Sequence, residues 1–388
     1  MSEPRLNKIL FVCNDFVGRS MAGPGIRYWE LGHALVKKGH KVAILARQTE
    51  KNLSSDPMIF IGQASFRNLI VWIRRSDCVV QPGRPLSIFV SILFGKKIIF
   101  DQYDPVIFEV LNTKTHSFRE KIRKKAMMFL WKVRQRIIMR FGDVFLVANE
   151  KQKDLLIGQL SILGYTKKLD SVKLLPFGLS DAVPVKNRSI LRGIKISDTD
   201  FLLVWGGGIW DWFDPFILLQ ALAVIQAQRN DIKIYFSGLK PPNPTSQEMT
   251  VCENFLAEAN RLKLTGNTVF MNPEWTRYDE RSDYLLEADA GISLHYDNLE
   301  TRFAFRTRIL DYLWAGLPII CSKGDCWADE IEMRGLGITV PPKNADALVA
   351  AIMRMADDKS YRESCRRRVS QLAGAYRWST LAEKLITG

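Results

Sequence analysis

The chain has 388 residues, of which 47% are apolar and 25% are charged. This composition excludes disordered, collagen-like and disulfide-scaffold chains, and the length predicts about two to three domains. The net charge of +14 is uneven, because residues 1–180 contain 30 basic and 14 acidic residues whereas residues 181–388 contain 25 and 27. The basic N-terminal half, at +16, predicts an anionic partner, and nucleic acid, a membrane surface and a phosphorylated substrate remain open.

No segment predicts a membrane span or a metal site. The longest mostly apolar run, residues 86–94, is about half the roughly 20 residues that a spanning helix needs. Residues 9–13 are too short for the apolar region of a signal peptide, so we expect a soluble chain on the cytosolic side. The six cysteines form no C-x-x-C pair and the four histidines are scattered, so we predict reduced thiols and no metal.

The N-terminal half predicts alternating strands and helices. A strand at 8–13, a glycine-containing loop, a helix ending at Gly39 and a strand at 41–46 form a βαβ opening. Further strands are predicted at 78–81, 97–101, 143–148 and 172–175. Residues 174–184, which hold three breakers, predict a linker.

The same pattern restarts in the C-terminal half. A strand at 201–205 and the turn 206–208 precede a helix at 215–228, which Asp214 caps and Pro215 begins. Strands are also predicted at 232–236, 268–271, 290–294 and 318–321. The prediction is an α/β protein of two doubly wound domains, residues 1–180 and 181–374, with a C-terminal helix in 375–388 that packs back toward the N-terminal domain. Ligands of such sheets lie beyond the carboxyl ends of the strands, so we expect a site in the cleft between the domains.

Two glycine loops, one opening each domain, predict phosphate contacts. Gly206, Gly207 and Gly208 lie between a strand and a helix, but Asp211 stands where a dinucleotide fingerprint needs its third glycine. The loop of the N-terminal domain likewise lacks that fingerprint and the phosphate-loop lysine. Its candidate residues are Gly23, Gly25 and Arg27.

The densest chemistry lies in residues 293–320. Arg302, Arg306 and Arg308 suit phosphate oxygens, which guanidinium groups bind bidentately. Glu300 and Asp311 are carboxylates suited to sugar hydroxyls. The alternative is an ion-pair network at the start of a helix.

This segment resembles the donor-binding segment of the retaining family-4 glycosyltransferases, which have the GT-B fold. Residues 315–318 (AGLP) match the turn that ends the family's donor helix, and Asp311 stands where the family usually has Glu. The glycine loop at 22–25, the PFGL sequence at 176–179 and the helix from Trp378 also resemble family counterparts. The resemblance implies two Rossmann-like domains facing across a cleft, a nucleotide-diphosphate sugar donor, retention of configuration, and no metal or cofactor.

The chain departs from the family pattern at three places. The two acidic residues are usually eight apart, whereas Glu300 and Asp311 are eleven apart, and Glu300 is taken as the stand-in that contacts the donor sugar. The family's Arg and Lys after the first donor-domain strand are absent from residues 206–214, so Arg306, Arg308 and the amides of Gly207 and Gly208 are predicted to hold the diphosphate. Where the family often has a donor-contacting His, Asp101 and Asp104 are predicted to position the acceptor or act as base.

Residues 117–141 hold nine basic residues and one acidic residue, with apolar residues at helical spacing. A basic helix with protruding Trp and Met predicts an interfacial helix on anionic lipid. The alternative is a solvated face on a helix that buries its apolar side. No nucleic-acid-binding motif is present, so nucleic acid is not expected. The predicted membrane contacts are Arg123, Lys124, Lys125, Trp131, Lys132 and Arg136.

These features predict a metal-independent hexosyltransferase at the cytosolic face of the cell membrane, acting on a lipid-linked or glycan acceptor in polysaccharide biosynthesis. Two alternatives stay open. A nucleotide-sugar 2-epimerase shares the architecture but needs no acceptor and no basic helix. A non-catalytic membrane adaptor that keeps the fold would explain the missing Arg and Lys.

Overall fold

The computed structural model describes residues 8–50, 53, 56–104, 106–112, 117–239 and 246–387. The chain divides into two units, one formed by Met1–Gly178 with Arg377–Gly388 and the other by Leu179–Tyr376. The expected boundaries after residues 180 and 374 each lie two residues from these divisions.

The first unit is a parallel sheet in the strand order β5-β3-β1-β6-β7-β8-β9, with a separate two-stranded sheet of β2 and β4. Its strands β1, β3, β6, β7 and β8 are largely buried apolar runs, as parallel strands covered on both faces require. Their bounds are β1 Lys8–Val12, β2 Phe16–Val17, β3 Lys41–Ala46, β4 Gln48–Thr49, β5 Ile59–Gln63, β6 Cys78–Gln81, β7 Lys97–Asp101, β8 Val144–Val147 and β9 Val172–Leu174.

Helices connect these strands. Ser117 precedes the longest helix and caps it with a capping box. The Ser117 hydroxyl accepts a hydrogen bond from the Glu120 amide, and the Glu120 carboxylate accepts one from the Ser117 amide. The bounds are α1 Gly23–Lys37, α2 Phe66–Arg75, α3 Pro85–Leu93, α4 Val106–Asn112, α5 Phe118–Phe141 and α6 Glu150–Ile162.

The second unit is a parallel sheet in the order β12-β11-β10-β13-β14-β15. The strand bounds are β10 Phe201–Trp205, β11 Ile232–Phe236, β12 Val269–Met271, β13 Ala290–Ser293, β14 Ile319–Ser322 and β15 Gly337–Val340. The helix bounds are α7 Pro215–Gln226, α8 Ser246–Arg261, α9 Arg281–Leu285, α10 Leu299–Phe303, α11 Arg308–Trp314, α12 Cys326–Arg334, α13 Ala345–Asp357 and α14 Lys359–Ala373.

In both sheets the chain reverses its direction of winding beside the first strand. The reversal lies between β1 and β6 in the first unit and between β10 and β13 in the second. Doubly wound sheets bind ligands at the carboxyl ends of the strands on either side of such a point. The loops after these four strands are therefore the places to look for a site in each unit.

The last helix, α15 (Trp378–Thr387), belongs to the first unit. Trp378 is fully buried and packs edge-on against Phe177, with ring centroids 5.0 Å apart. Lys38 at the end of α1 forms an ion pair with Glu383 at 2.6 Å. The C-terminal segment thus completes the core of the N-terminal unit.

Three features differ from the predicted elements. Strands β2, β4, β5 and β15 were not predicted, because β2 and β4 have two residues each and β5 and β15 are only partly buried. The loop expected after residue 294 contains the short helix α10, and the helix expected to begin near Phe305 begins at Arg308. Short helices bury too few residues to give a periodic signal.

Candidate functional site

The glycine turn 206–208 follows β10 at the reversal point of the second sheet. Gly207 has a φ of +76°, which glycine adopts without strain. Its amide donates to Ser237 Oγ at 2.9 Å, and the Gly206 amide donates to the Tyr312 hydroxyl at 3.0 Å. The predicted diphosphate contact of the Gly207 amide is not supported, because that N–H already has a partner within the unit. The Gly208 carbonyl accepts a hydrogen bond from Arg308.

Arg308, at the start of α11, is buried against the same turn. Its guanidinium carbon lies 3.8 Å from the ring centroid of Phe213, and Nη2 donates to the Gly208 carbonyl at 2.9 Å. Burial lowers the pKa of Arg308 to about 10. Arg308 therefore supports the turn from inside the unit, and its predicted direct contact with a diphosphate is not supported by this geometry.

Glu300 and Arg306 bind each other in a buried pair. Arg306 Nη1 and Nη2 donate to the two Glu300 carboxylate oxygens at 2.8 and 2.7 Å, and Nη2 also donates to Thr301 Oγ1 at 3.1 Å. Both side chains are almost fully buried. The separate roles predicted for them, on the donor sugar and on the diphosphate, would require this pair to open. Arg302, the third predicted arginine, is exposed.

Asp325 extends this pair into a network that sequence reasoning missed. Its carboxylate caps α12 by accepting from the Ala328 amide at 2.8 Å, and it lies 3.3 Å from His295 Nε2 and 3.9 Å from Arg306 Nε. Burial by itself would raise the pKa of Asp325, but His295 and Arg306 hold it below its usual value. The network ties the loop after β13 to the start of α12.

Asp311 is the predicted carboxylate that remains accessible, with 35% of its side chain exposed. Arg281 Nε donates to it at 3.1 Å, while the guanidinium lies 3.7 Å from the ring centroid of Tyr278 and 4.2 Å from that of Trp314. Burial raises the pKa of Asp311, and Arg281 opposes this effect. Sequence reasoning missed Arg281, since it lies 30 residues upstream and carries no motif of its own.

The turn that ends α11 has the geometry its sequence predicts. Gly316 has a φ of +68°, and the Leu317 amide donates to the Tyr312 carbonyl at 2.8 Å. Glycine stops a helix in this left-handed conformation. The ring of Tyr312 lies against Gly291, because a Cβ at that position would be 2.4 Å from a ring carbon. Its hydroxyl donates toward the Val204 and Ile292 carbonyls and so joins β10, β13 and the glycine turn.

In the first unit, Arg27 and Asp101 form a fully buried ion pair. Arg27 Nε and Nη2 donate to the two Asp101 oxygens at 2.7 and 3.0 Å, and the guanidinium also donates to the Pro176 and Leu175 carbonyls. Both Asp101 oxygens are therefore occupied, and Arg27 is enclosed instead of lining a loop. Gly25 is required for packing, because a Cβ there would lie 2.3 Å from the Phe16 carbonyl, whereas Gly23 has no such crowding.

A cavity of about 340 Å³ lies at the reversal point of the first sheet. Its wall includes Asn14 and Asp15 after β1, Pro82 after β6, and Asp104 after β7. The inner faces of α5 and α6 complete it, through Trp131, Arg134, Gln135, Gln152, Leu155 and Gln159. The predicted candidate Asp104 is thus exposed at a cavity, as expected of a residue that meets a ligand.

Helix α5 points its apolar stripe away from the core. Within it, Gln135, Ile138 and Met139 are buried, whereas Phe129 and Leu130 are 66% and 64% exposed. The other exposed large apolar side chains of this helix are Phe118, Ile122, Met127, Val133, Ile137 and Phe141.

Four of the predicted membrane contacts, Arg123, Lys125, Lys132 and Arg136, are exposed. Two others face the protein. Trp131 is half-buried and lines the cavity, and Lys124 donates to the Leu111 carbonyl at 2.7 Å. Helical spacing alone does not show which side of α5 meets the sheet, and this misplaced both residues.

Within the described ranges, no three His, Cys, Asp or Glu side chains cluster closely enough to hold a metal ion. All six cysteines are free thiols. Among the helices that the structure describes, none combines the length and apolar composition needed to cross a membrane.

One family model matches part of the second unit. Residues 201–358 match the family described as Glycosyl transferases group 1. This range contains the glycine turn, the buried Glu300–Arg306 pair and the accessible Asp311. No curated protein is similar enough in sequence to match the chain.

Three solved structures that are similar to the whole chain are distant from it in sequence. HepE from Anabaena, solved with UDP-glucose, is 12% identical, with a TM-score of 0.71 over 97% of this chain and 98% of its own. The glycosyltransferase WaaG, described as involved in lipopolysaccharide biosynthesis, is 17% identical, with a TM-score of 0.66 over 98% of this chain and 100% of its own. The trehalose-6-phosphate synthase OtsA is 11% identical, with a TM-score of 0.72 over 98% of both chains. The chain therefore has the GT-B fold of two α/β units with parallel sheets.

Proposed function

We propose that the chain is a glycosyltransferase that moves a hexose from a nucleotide-diphosphate sugar to a lipid-linked or glycan acceptor. The observation that carries the proposal is the accessible Asp311 carboxylate, held by Arg281 beside the reversal point of a unit that matches glycosyl transferases group 1. Retention of configuration, independence from metal and a role in surface-polysaccharide assembly are further parts of the proposal, and they rest on the resemblance to family 4.

In the proposed donor site, Asp311 accepts hydrogen bonds from the ribose hydroxyls. Arg281 acts through Asp311 by fixing its orientation, since its guanidinium is clamped between Tyr278 and Trp314. The exposed Arg302 meets the diphosphate, whose developing charge a positioned cation stabilises as the bond to the sugar breaks. The buried pair Glu300–Arg306 positions α10, the short helix that carries Arg302.

In the proposed acceptor site, Asp104 faces the cavity of the first unit and orients the acceptor hydroxyl. Asp101 serves the same site indirectly, because its pair with Arg27 holds the end of β7 in place.

The proposed membrane partner is anionic lipid, bound by the outer face of α5. With 3.6 residues per turn, Lys125, Lys132 and Arg136 lie along one edge of its apolar stripe and Arg123 lies at the other. Apolar residues flanked by cations are what a helix lying at a lipid surface requires. The enzyme would then be cytoplasmic and peripheral at the inner face of the cell membrane.

The test of the donor assignment is a thermal-shift panel with UDP, GDP, ADP, CMP, dTDP and their sugars. UDP-glucose is the first ligand to try, because the HepE structure contains it. A ligand at 100 times its dissociation constant adds about 2.7 kcal/mol to the free energy of unfolding. We expect one nucleoside diphosphate to raise the melting temperature selectively.

Asp311→Ala should reduce that affinity by about ten- to a hundredfold, since a hydrogen bond to a charged group contributes about 1.5–3 kcal/mol. Asp346→Asn, an exposed carboxylate in the first turn of α13, is the matched control and should bind as wild type. Unchanged affinity in folded Asp311→Ala would remove Asp311 from the site. No shift with any nucleotide, in a protein that melts cooperatively, would favour the non-catalytic adaptor.

A further inference from the structure

The cavity of the first unit has a cation in its wall without a counter-ion. Arg134, on the inner face of α5, donates through Nε to the Gly83 carbonyl at 3.0 Å and through Nη2 to the Pro82 carbonyl. Within the described part of the chain, no carboxylate forms an ion pair with it, and Nη1 makes no hydrogen bond. Burial lowers the pKa of Arg134, and no neighbouring charge opposes this effect.

A half-buried guanidinium that is held by two carbonyls and has no carboxylate partner keeps its positive charge available to an anionic ligand. The other charged groups lining the cavity do not compensate it. Asp101 is neutralised by Arg27, while Asp15 and Asp104 extend from the loops after β1 and β7. Arg134 instead lies against the loop after β6, where its two bonds to backbone carbonyls hold the planar group in one orientation.

We propose that Arg134 binds a phosphate group of the acceptor, which makes the acceptor a phosphorylated molecule and not a neutral glycan. This inference rests on the proposed function, because it assigns the acceptor class of that enzyme. Arginine suits the role because its remaining N–H groups donate charge-assisted hydrogen bonds to phosphate oxygens. Trp131, Ile107 and Leu155 provide apolar walls for the part of the acceptor next to the phosphate.

The size of the cavity limits what accompanies the phosphate. At about 340 Å³ it lies at the lower end of the range for ligand pockets, about 300–1,000 Å³. It therefore encloses one head group, and any longer chain must remain outside. On the same helix, Leu130 lies one turn before Arg134 and is 64% exposed, and Val133 is 40% exposed. The phosphate has two possible sources, a lipid head group or a soluble sugar phosphate.

Isothermal titration calorimetry without nucleotide separates these sources. The probes are glucose 6-phosphate for the soluble source and dihexanoyl phosphatidic acid, below its micelle concentration, for the lipid source. Glucose and dihexanoyl phosphatidylcholine are their controls without a phosphate monoester. Saturable binding of either phosphate probe, with much weaker binding of its control, is the expected result, and the preferred probe identifies the source.

Arg134→Gln should lower the affinity for the phosphate probe by about tenfold or more. Arg74→Gln, which removes an exposed arginine from α2, should change that affinity less than twofold. Because Arg134→Gln also removes two bonds to carbonyls, Gln159→Glu is the second variant. It keeps the oxygen that accepts from Gln135 Nε2 at 3.3 Å and adds a negative charge to the cavity. It should weaken phosphate binding while leaving binding of glucose unchanged.

The proposal is overturned if no phosphate probe binds, if the controls bind as well as the phosphates, or if both cavity variants bind phosphate like wild type. Nucleoside-diphosphate binding, measured on the same variants, reports the donor unit separately. Loss of phosphate binding with normal nucleotide binding supports the proposal. Normal phosphate binding by a chain that binds no nucleotide would instead contradict the glycosyltransferase and leave the phosphate site standing.

Discussion

At the scale of single residues, most charged side chains of the candidate site form ion pairs with each other inside the second unit. Arg306 is bound by Glu300 and lies near Asp325, all three almost fully buried. Removing one member of a buried pair leaves the other charge without compensation, which costs about 3–5 kcal/mol. The free energy of unfolding should therefore depend strongly on this pair.

We expect Arg306→Met to lower the free energy of unfolding of the second unit by about 3–5 kcal/mol in urea titrations followed by circular dichroism. Arg302→Gln removes an exposed charge four residues away and should stay within about 0.5 kcal/mol of wild type. The double variant Glu300→Leu with Arg306→Met should recover part of the loss. Equal stability of wild type and Arg306→Met would show that the pair is not formed in solution.

The contacts of Asp325 predict a contribution to the stability of the fold that is lost in acid. Its pKa in the folded chain lies below the usual value of 3.8 because of His295 and Arg306, so the unfolded chain binds its proton at a higher pH. The stabilisation is complete above the usual pKa and is lost as the pH falls through the lower folded value. The melting temperature of wild type should drop more steeply than that of Asp325→Asn between about pH 4 and pH 2. Parallel curves would contradict this role.

At the scale of elements, α5 is the proposed lipid-binding helix of the N-terminal unit. Its exposed apolar residues should contribute to vesicle binding in proportion to the area they bury, up to about 1.5–3 kcal/mol for a large side chain. Replacing Phe129 and Leu130 by Ser should therefore reduce flotation with anionic vesicles by about tenfold or more.

Ile162→Ser provides the matched control for that pair, because Ile162 is an 87% exposed apolar residue on α6 of the same unit. It should float like wild type. All these residues are exposed, so the melting temperature should not change. Flotation that survives the Phe129 and Leu130 replacements would exclude α5 as the lipid-binding element.

The elements also show how far sequence reasoning reaches. Five strands, β3, β6, β7, β10 and β11, have the predicted bounds, because a continuous apolar run between polar residues marks a buried parallel strand. The pair of Glu300 with Arg306 agrees with the ion-pair alternative, but the contacts of Asp311 with Arg281 and of Arg306 with Asp325 could not be predicted, since Arg281 and Asp325 come from segments that only the folded sheet brings together. The direction of the α5 stripe was equally hidden, because periodicity describes a helix and not its neighbours.

At the scale of the whole molecule, the charge asymmetry predicts salt-sensitive membrane binding. The net charge of +16 on residues 1–180 attracts anionic lipid over about 10 Å at 0.1 M salt but only about 3 Å at 1 M. Flotation with anionic vesicles should therefore be lost between these concentrations, and neutral vesicles should bind weakly at both. Binding that is independent of salt would mean that the basic residues do not face the lipid.

The sequence by itself determined the α/β class, the two repeated strand-and-helix units, the linker and the uneven charge, because these depend on local apolar patterns and on composition. It also identified residues 293–320 as the segment where the candidate chemistry is concentrated. The tertiary structure alone decided which charges remain available. Glu300, Arg306, Arg27 and Asp101 are neutralised in buried pairs, whereas Asp311 stays 35% exposed beside Arg281 and Arg134 has no carboxylate partner within the described residues. Pairing between charges is a matter of distance through space, and burial is set by the neighbours that folding supplies.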